Sequence, residues 1–154
     1  MRAALGELAA SRAREGEKLG RMLLERVAAI RNRLAALAPL VPQAIAAYEE
    51  RLAAKLREAL GGADEERIRQ EIAVYGVRID VAEELSRLAA HLDEVERVIA
   101  AGGAVGKRLD FLMHELNRES NTLASKSVDM EVSHASVELK VLIEQMREQV
   151  QNVE

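Results

Sequence analysis

The chain has 154 residues, of which 49% are hydrophobic and 31% are charged, while only 2% are aromatic. Such a composition is typical of long, solvent-exposed helices with a core of Leu, Ile, Val, Ala and Met. A net charge of −4 argues against a generally basic nucleic-acid binder. The absence of Cys excludes disulfides and thiolate metal sites, and no apolar run approaches the roughly 20 residues that cross a bilayer.

The N-terminal part of the chain predicts a helical hairpin over residues 1–60. Leu, Ile, Val and Met recur at helical spacings of three and four through residues 2–38. Pro39 and Pro42 end this first helix. A second apolar stripe follows and ends at Gly61–Gly62, a dipeptide suited to terminating a helix.

The middle of the chain predicts one long helix over residues 64–101. Asp64 is a good N-cap, and apolar residues continue at helical spacing to Ile99. A helix of this length would extend about 55 Å. Gly102–Gly103 then breaks it.

The C-terminal part, residues 105–154, carries the most unusual composition. We predict a fourth helix over Val105–Glu119 and a fifth from about Asp129 to the end. The run from Arg118 to Lys126 is almost entirely polar or small, so we interpret it as a turn between them. Asn121, Thr122 and Ser125 are consistent with a cap between the two helices.

No segment alternates with the period of a strand, so the sequence predicts an all-α fold. About five helices would pack as long antiparallel hairpins in a single helical domain, residues 1–154. Helices this long cannot bury their whole apolar stripe within one small subunit, so we expect coiled-coil-like packing and a homo-oligomer. We expect a cytoplasmic protein with no membrane partner.

Charge is segregated along this chain. Residues 1–38 hold eight Lys/Arg against four Asp/Glu, whereas residues 61–106 hold five against ten. Acidic helices could neutralise the basic one within the molecule, or the basic helix could leave a strip for an anionic partner.

A candidate site follows from the break at Gly102–Gly103. If the flanking helices pack antiparallel, residues equidistant from Gly103 lie side by side, which pairs His91 with Glu115 and Arg87 with Glu119. Glu84 lies on the same edge of its helix as His91. Histidine with carboxylates suits a divalent cation such as Mg²⁺ or Mn²⁺.

We therefore predict a metal site whose ligands are His91, Glu115 and Glu119, with Glu84 as an additional or outer ligand. We expect His91, Glu115 and Glu119 to be catalytic. Phosphate contacts are expected from Arg87, Arg118 and Lys126. The competing interpretation is an ion-pair network on the surface of an Arg-rich helical protein. His114 points away from Glu115, and nothing converges on His134. Stacking on bases is nearly excluded by composition, since the only aromatic residues are Tyr48, Tyr75 and Phe111.

Two segments resemble the YicC/YloC endoribonuclease family. The first begins Gly-Lys-Arg-Leu-Asp-Phe at Gly106 and continues as Glu-Leu-Asn-Arg-Glu-Ser-Asn-Thr-Leu-Ala-Ser-Lys-Ser from Glu115. The second is the C-terminal run Glu-Leu-Lys-Val-Leu-Ile-Glu-Gln-Met-Arg-Glu-Gln-Val-Gln-Asn-Val-Glu from Glu138. Weaker matches near Arg14, at residues 78–85 and at His91 extend the similarity over almost the whole chain.

The resemblance implies an enzyme that hydrolyses RNA phosphodiester bonds, depends on a divalent metal and assembles as an oligomer. It implies RNA rather than DNA as the partner. Family members are nearly twice as long and carry an additional N-terminal domain containing β structure, so this chain corresponds to the C-terminal helical half. His114 stands where the family usually has Gln, which argues against a ligand role for it. A non-catalytic helical oligomerisation or RNA-binding module is the alternative.

Overall fold

The structure, a computed structural model, describes residues 2–61 and 64–152. These residues form six helices and no strand, which confirms the all-α prediction. The helices are α1 (Arg2–Leu37), α2 (Leu40–Ala59), α3 (Glu65–Ile79), α4 (Ala82–Ala101), α5 (Gly106–Lys126) and α6 (Met130–Gln151). None of them is long and apolar enough to cross a membrane.

Four of the helices form a bundle. Helix α5 packs between α4 and α6, and α1 closes the bundle by packing on both of those helices. The buried core runs through all four, for example Ile30 of α1, Leu92 of α4, Leu116 of α5 and Ile143 of α6, each with almost no exposed surface. Helices α2 and α3 pack mainly on each other as a second hairpin.

The ends of the first two helices lie where the sequence predicts them, although α1 packs mainly on α6 and α4 and has few contacts with α2. Helix α1 ends at Leu37, just before Pro39, and α2 ends just before Gly61, which has a φ of +64°. Glycine tolerates this left-handed backbone without a steric penalty. Gly62, the other half of the predicted stop, lies outside the described residues.

The prediction of a single helix over residues 64–101 is wrong. Asp64 does cap α3, accepting a hydrogen bond from the backbone N–H of Arg67 at 3.0 Å. The helix nevertheless ends at Ile79, because Asp80 is extended and its carboxylate accepts a hydrogen bond from the backbone N–H of Ala82 at 2.9 Å. Val81 is buried at this corner, only 2% exposed, so the bend inserts an apolar side chain into the core.

The predicted turn over residues 118–126 is also wrong. Helix α5 continues through this run to Lys126. It therefore extends about two turns beyond the predicted end at Glu119. Thr122 and Ser125 satisfy their hydroxyls by donating to carbonyl oxygens within the helix, those of Arg118 and Thr122. Since Ser120 and Leu123 are fully buried, the packing face of α5 extends along its whole length.

The start of α6 depends on Asp129. Its carboxylate accepts hydrogen bonds from the backbone N–H groups of Glu131 at 2.8 Å and Val132 at 3.3 Å. Replacing Asp129 with Ala should lower the free energy of unfolding by about 1 kcal/mol, the usual effect of losing an N-cap. Urea denaturation measures this, and Asp129→Asn, which keeps a capping oxygen, serves as the matched control. Equal unfolding midpoints for Asp129→Ala and the parent would contradict the assignment.

Candidate metal centre between helices α4 and α5

The tight turn between α4 and α5 sets the register of the site. Gly102 and Gly103 have φ values of +64° and +82°, a conformation that favours glycine. The turn lets α5 run back along α4, with Leu88, Leu92, Leu112 and Leu116 buried in the core. The charged residues on the α4–α5 edge are therefore held beside each other at the margin of that core.

The register brings together the predicted pairs. His91 Nε2 lies 4.0 Å from Glu115 Oε2, and Arg87 Nη1 lies 3.6 Å from Glu119 Oε1. One nitrogen or oxygen from each of three side chains, His91, Glu115 and Glu119, falls within 4.8 Å of the others. Two helices thus contribute a compact group of one imidazole and two carboxylates.

The three members differ in exposure. Glu119 is buried, with only 2% of its side chain exposed, while His91 and Glu115 are about a quarter exposed or less. A buried carboxylate requires charge partners, because removing it from water is unfavourable. The site is consequently open to solvent on one side and closed on the side of Glu119.

Arginines supply the positive charge at this group. Arg118 Nη2 lies 3.0 Å from Glu115 Oε2 and 3.0 Å from Glu119 Oε1. Its hydrogen bond to Glu119 and the nearby charge of Glu115 raise the pKa of Arg118. The side chain of Arg118 remains 62% exposed, so its guanidinium can leave the carboxylates without crossing packed atoms.

Two of the predicted site residues lie in a different cluster. Lys126 Nζ donates to Glu84 Oε1 at 2.8 Å and to the backbone carbonyl of Asp80 at 3.1 Å. Glu84 lies in the first turn of α4. It precedes His91 by two helical turns, so the two residues are about 10 Å apart along the helix axis. The structure therefore pairs Glu84 and Lys126 with each other at the α3–α4 corner and does not add them to the His91 group.

The other two histidines lie apart from the group. His114 is exposed on α5, and its nearest acidic partner is Asp110 at 3.7 Å. His134 is exposed on α6.

The basic N-terminal helix is neutralised in part. Arg31 of α1 lies 2.9 Å from Glu96 of α4, and Arg33 lies 3.2 Å from Glu138 of α6. These pairs support complementarity within the molecule for this stretch of α1.

Comparison with known proteins assigns this helical architecture to a family. The C-terminal region of the YicC-like endoribonucleases matches residues 37–154, which include all of α2 to α6. The chain belongs to this family.

Two curated relatives show the extent of the similarity. The chain is 47% identical over 150 residues to a Haemophilus influenzae protein named probable endoribonuclease YicC, covering 97% of this chain and 52% of that protein. It is 33% identical over 154 residues to a Clostridioides difficile protein of the same name, covering 98% of this chain and 53% of that protein. The chain thus spans about half the length of the curated relatives it matches.

The donor set fits a hard or borderline divalent cation. Carboxylate oxygens with an imidazole nitrogen suit Mg²⁺ or Mn²⁺, which leave further coordination positions to water or phosphate oxygens. Arg118 already stands between the two carboxylates as a cation. The two carboxylates that bind its guanidinium supply the negative charge that would also attract a metal ion.

Proposed function

We propose that this chain carries the metal-dependent catalytic centre of an endoribonuclease that hydrolyses RNA phosphodiester bonds. The observation that carries the proposal is the convergence of His91, Glu115 and Glu119 within 4.8 Å, in a family whose relatives are named probable endoribonucleases. In this proposal these residues bind Mg²⁺ or Mn²⁺ and Glu84 does not.

Each residue of the centre has a distinct task. Glu119 is buried and fixed, so it anchors the ion, while Glu115 and His91 lie at the open side and complete the set. When bound, the metal would lower the pKa of a coordinated water and stabilise negative charge on a phosphate. Arg118 and Arg87, both about half exposed or more, are the phosphate-binding residues.

Arg118 acts as an exchangeable cation in this scheme. It bonds to Glu115 and Glu119, and a bound metal ion would take over that neutralisation. The released guanidinium would then be available for the phosphate of the substrate. Lys126 lies apart from the centre, at the α3–α4 corner with Glu84 and Asp80, so it is not assigned to phosphate here.

Mn²⁺ binding tests the centre directly. Titration followed by electron paramagnetic resonance should show one site, and saturation at about 100 times Kd should stabilise the fold by about 2.7 kcal/mol. For a chain of this size that corresponds to a rise in Tm of roughly 5–10 °C. His91→Ala should weaken binding, whereas His114→Ala, an exposed histidine on α5, should not. Equal Mn²⁺ affinity in the parent and in His91→Ala would contradict the site.

Cleavage tests the activity. Labelled single-stranded RNA is incubated with the chain, and with the full-length Haemophilus influenzae relative in parallel, in Mn²⁺ or in EDTA. We expect internal cuts that require the metal. Intact RNA with both proteins, despite bound Mn²⁺, would contradict the proposed reaction.

The alternative function is a non-catalytic oligomerisation or RNA-binding module, in which the same residues form an ion-pair network. The close contacts of Arg118 with both carboxylates favour it, because they neutralise the site without a metal. It predicts no effect of Mn²⁺ on Tm and RNA binding that is unchanged by EDTA.

Association between copies of the chain stays a prediction. Three apolar side chains on one face of α6 are exposed, namely Met130 at 74%, Val137 at 58% and Val141 at 51%. Sedimentation velocity of the parent and of Val137→Asp would show whether copies associate through this face.

A further inference from the structure

The outer stripe of α5 lies opposite its buried face. Its members recur at spacings of three and four, as expected for one face of a helix, and the structure shows them to be exposed. They are Lys107, Phe111, His114, Arg118, Asn121 and Ser125. The stripe contains two fixed positive charges, an aromatic ring and polar groups, and no acidic side chain belongs to it.

Phe111 is the unusual member of the outer stripe. It is the sole Phe in the chain, and it is 50% exposed although it follows the fully packed Leu109 and precedes Leu112. A helix that only needed to pack would place such a ring on its apolar side. One side of the ring is covered by the guanidinium of Arg108, 5.4 Å from the ring centre.

Arg108 is itself held in place from α4. Its Nη2 donates to Glu94 Oε1 at 3.0 Å, and hydrogen bonds from Arg97 and Arg108 lower the pKa of Glu94 to about 2. The contact between Arg108 and Phe111 is therefore supported by an ion pair that persists at neutral pH. Arg108 thus holds the ring of Phe111 in place, while half of the side chain stays exposed. An exposed aromatic ring is the kind of surface on which an unpaired base stacks.

The outer stripe runs directly past the candidate metal centre. Arg118 belongs to the stripe and also contacts Glu115 and Glu119. Phe111 lies one turn before Glu115 on the same helix, about 6 Å along the axis. A strand that crossed the metal centre would therefore reach the ring of Phe111 with a neighbouring nucleotide.

We propose that the outer stripe of α5 binds single-stranded RNA, with one base stacked on Phe111 and the backbone contacted by Lys107, and also by Arg118 once a metal ion replaces it on Glu115 and Glu119. The inference rests on the proposed function and names the contacts that hold its substrate. Positive charge beside an exposed ring is the combination by which proteins bind unpaired nucleic acid: cations track phosphates and the ring accepts any base. Asp110, at the edge of the stripe, is only partly exposed and lies 3.7 Å from His114.

The ring is tested by binding in EDTA, where no cleavage occurs. Fluorescence anisotropy with a short single-stranded RNA of mixed sequence should show about tenfold weaker binding for Phe111→Leu. Phe111→Trp should retain affinity because it keeps an aromatic face. Val77→Ala, which alters an exposed apolar side chain on α3, is the matched control and should bind as the parent does.

The positive charge is tested by salt dependence. Lys107→Ser should reduce the slope of log K against log salt by about 0.7, the value for one phosphate contact on a single strand. Lys140→Ser, an exposed lysine on α6, should leave the slope unchanged.

Several results would overturn the proposal. They are absence of RNA binding by the parent, equal affinity of Phe111→Leu and parent, or loss of affinity in Phe111→Trp as well. A shift of Phe111→Leu in sedimentation with unchanged RNA affinity would identify the ring as a contact between copies instead. Because these measurements exclude metal, failure of the stripe leaves Mn²⁺ binding at His91 intact, and failure of Mn²⁺ binding leaves the stripe result standing.

Discussion

Replacing Glu119 with Gln should weaken Mn²⁺ binding at least about 100-fold and abolish metal-dependent RNA cleavage. Loss of a residue that only supports a metal ligand typically reduces metal affinity 10- to 100-fold, and loss of a ligand itself should have a larger effect. Glu119 is the buried anchor of the centre, 2% exposed, so no solvent-exposed carboxylate can move in to replace it. Mn²⁺ affinity by electron paramagnetic resonance and cleavage of labelled RNA are the two measurements.

The fold should tolerate this substitution. Gln is similar in size to Glu, and the two arginines that contact Glu119 are about half exposed or more. They can therefore turn to water when the carboxylate charge is removed. Glu144→Gln is the matched control, since Glu144 pairs with Arg147 on the surface of α6 and lies in no proposed site. Circular dichroism would confirm that both variants are folded.

This variant also separates the two proposed functions. If the group is only an ion-pair network, Glu119→Gln changes stability, and Mn²⁺ has no effect on the Tm of either protein. If Glu119→Gln binds Mn²⁺ as tightly as the parent, the metal lies elsewhere and the assignment fails.

The register of the α4–α5 hairpin could be predicted because it depends on one local feature. Gly102 and Gly103 fix where the chain reverses, and antiparallel packing then determines which residues face each other. This is why the contacts of His91 with Glu115 and of Arg87 with Glu119 follow from the sequence. Their chemical roles do not follow, because an ion pair and a metal site use the same residue types.

The bend at Asp80 was missed although the sequence contains a signal for it. From Ile79 to Leu85 the spacing of the predicted apolar stripe is six, which does not return to the same face of a helix. Asp80 followed by Glu83 also resembles the start of a new helix. On either side of this gap the apolar residues do recur at helical spacing, which favours one continuous helix.

The full length of α5 does not follow from the composition of residues 118–126. The polar run suggested a turn, but Ser120 and Leu123 follow Leu116 at spacings of four and seven, which continues the buried stripe. The number of polar residues favours a turn, whereas the face they occupy favours a continuous helix. The same periodicity places Lys107, Phe111 and Arg118 together on the opposite side of the helix.

Replacing Lys126 with Ala should lower the free energy of unfolding by about 3 kcal/mol. Glu84 is only 5% exposed, and Lys126 is its partner at 2.8 Å. Breaking a buried ion pair from one side is strongly destabilising, since it leaves a buried charge without compensation. The 29% exposure of Lys126 places the expected value at the low end of the usual 3–5 kcal/mol.

The second contact of Lys126 extends the effect to the fold. Its ammonium also donates to the carbonyl of Asp80. Asp80 directly follows the last residue of α3, at the point where the chain bends towards α4. Oε2 of Glu84 has no hydrogen-bond partner among the described residues, so Oε1 carries the stabilising bond. Loss of Lys126 should therefore loosen the α3–α4 corner, and hydrogen exchange should increase first at Val81 and Ala82.

A double-mutant cycle isolates the pair. Urea denaturation of Lys126→Ala, Glu84→Ala and the double variant should show the double variant to be less destabilised than the sum of the two single variants. The reason is that most of the penalty in Lys126→Ala comes from the carboxylate that remains buried, and removing Glu84 as well relieves it. Lys140→Ala, an exposed lysine in the middle of α6, controls for loss of a helical lysine and should change stability by less than about 0.5 kcal/mol. Additive effects across the cycle would show that Glu84 and Lys126 do not stabilise each other, and the α3–α4 corner would then depend on Val81 and the carboxylate of Asp80 alone.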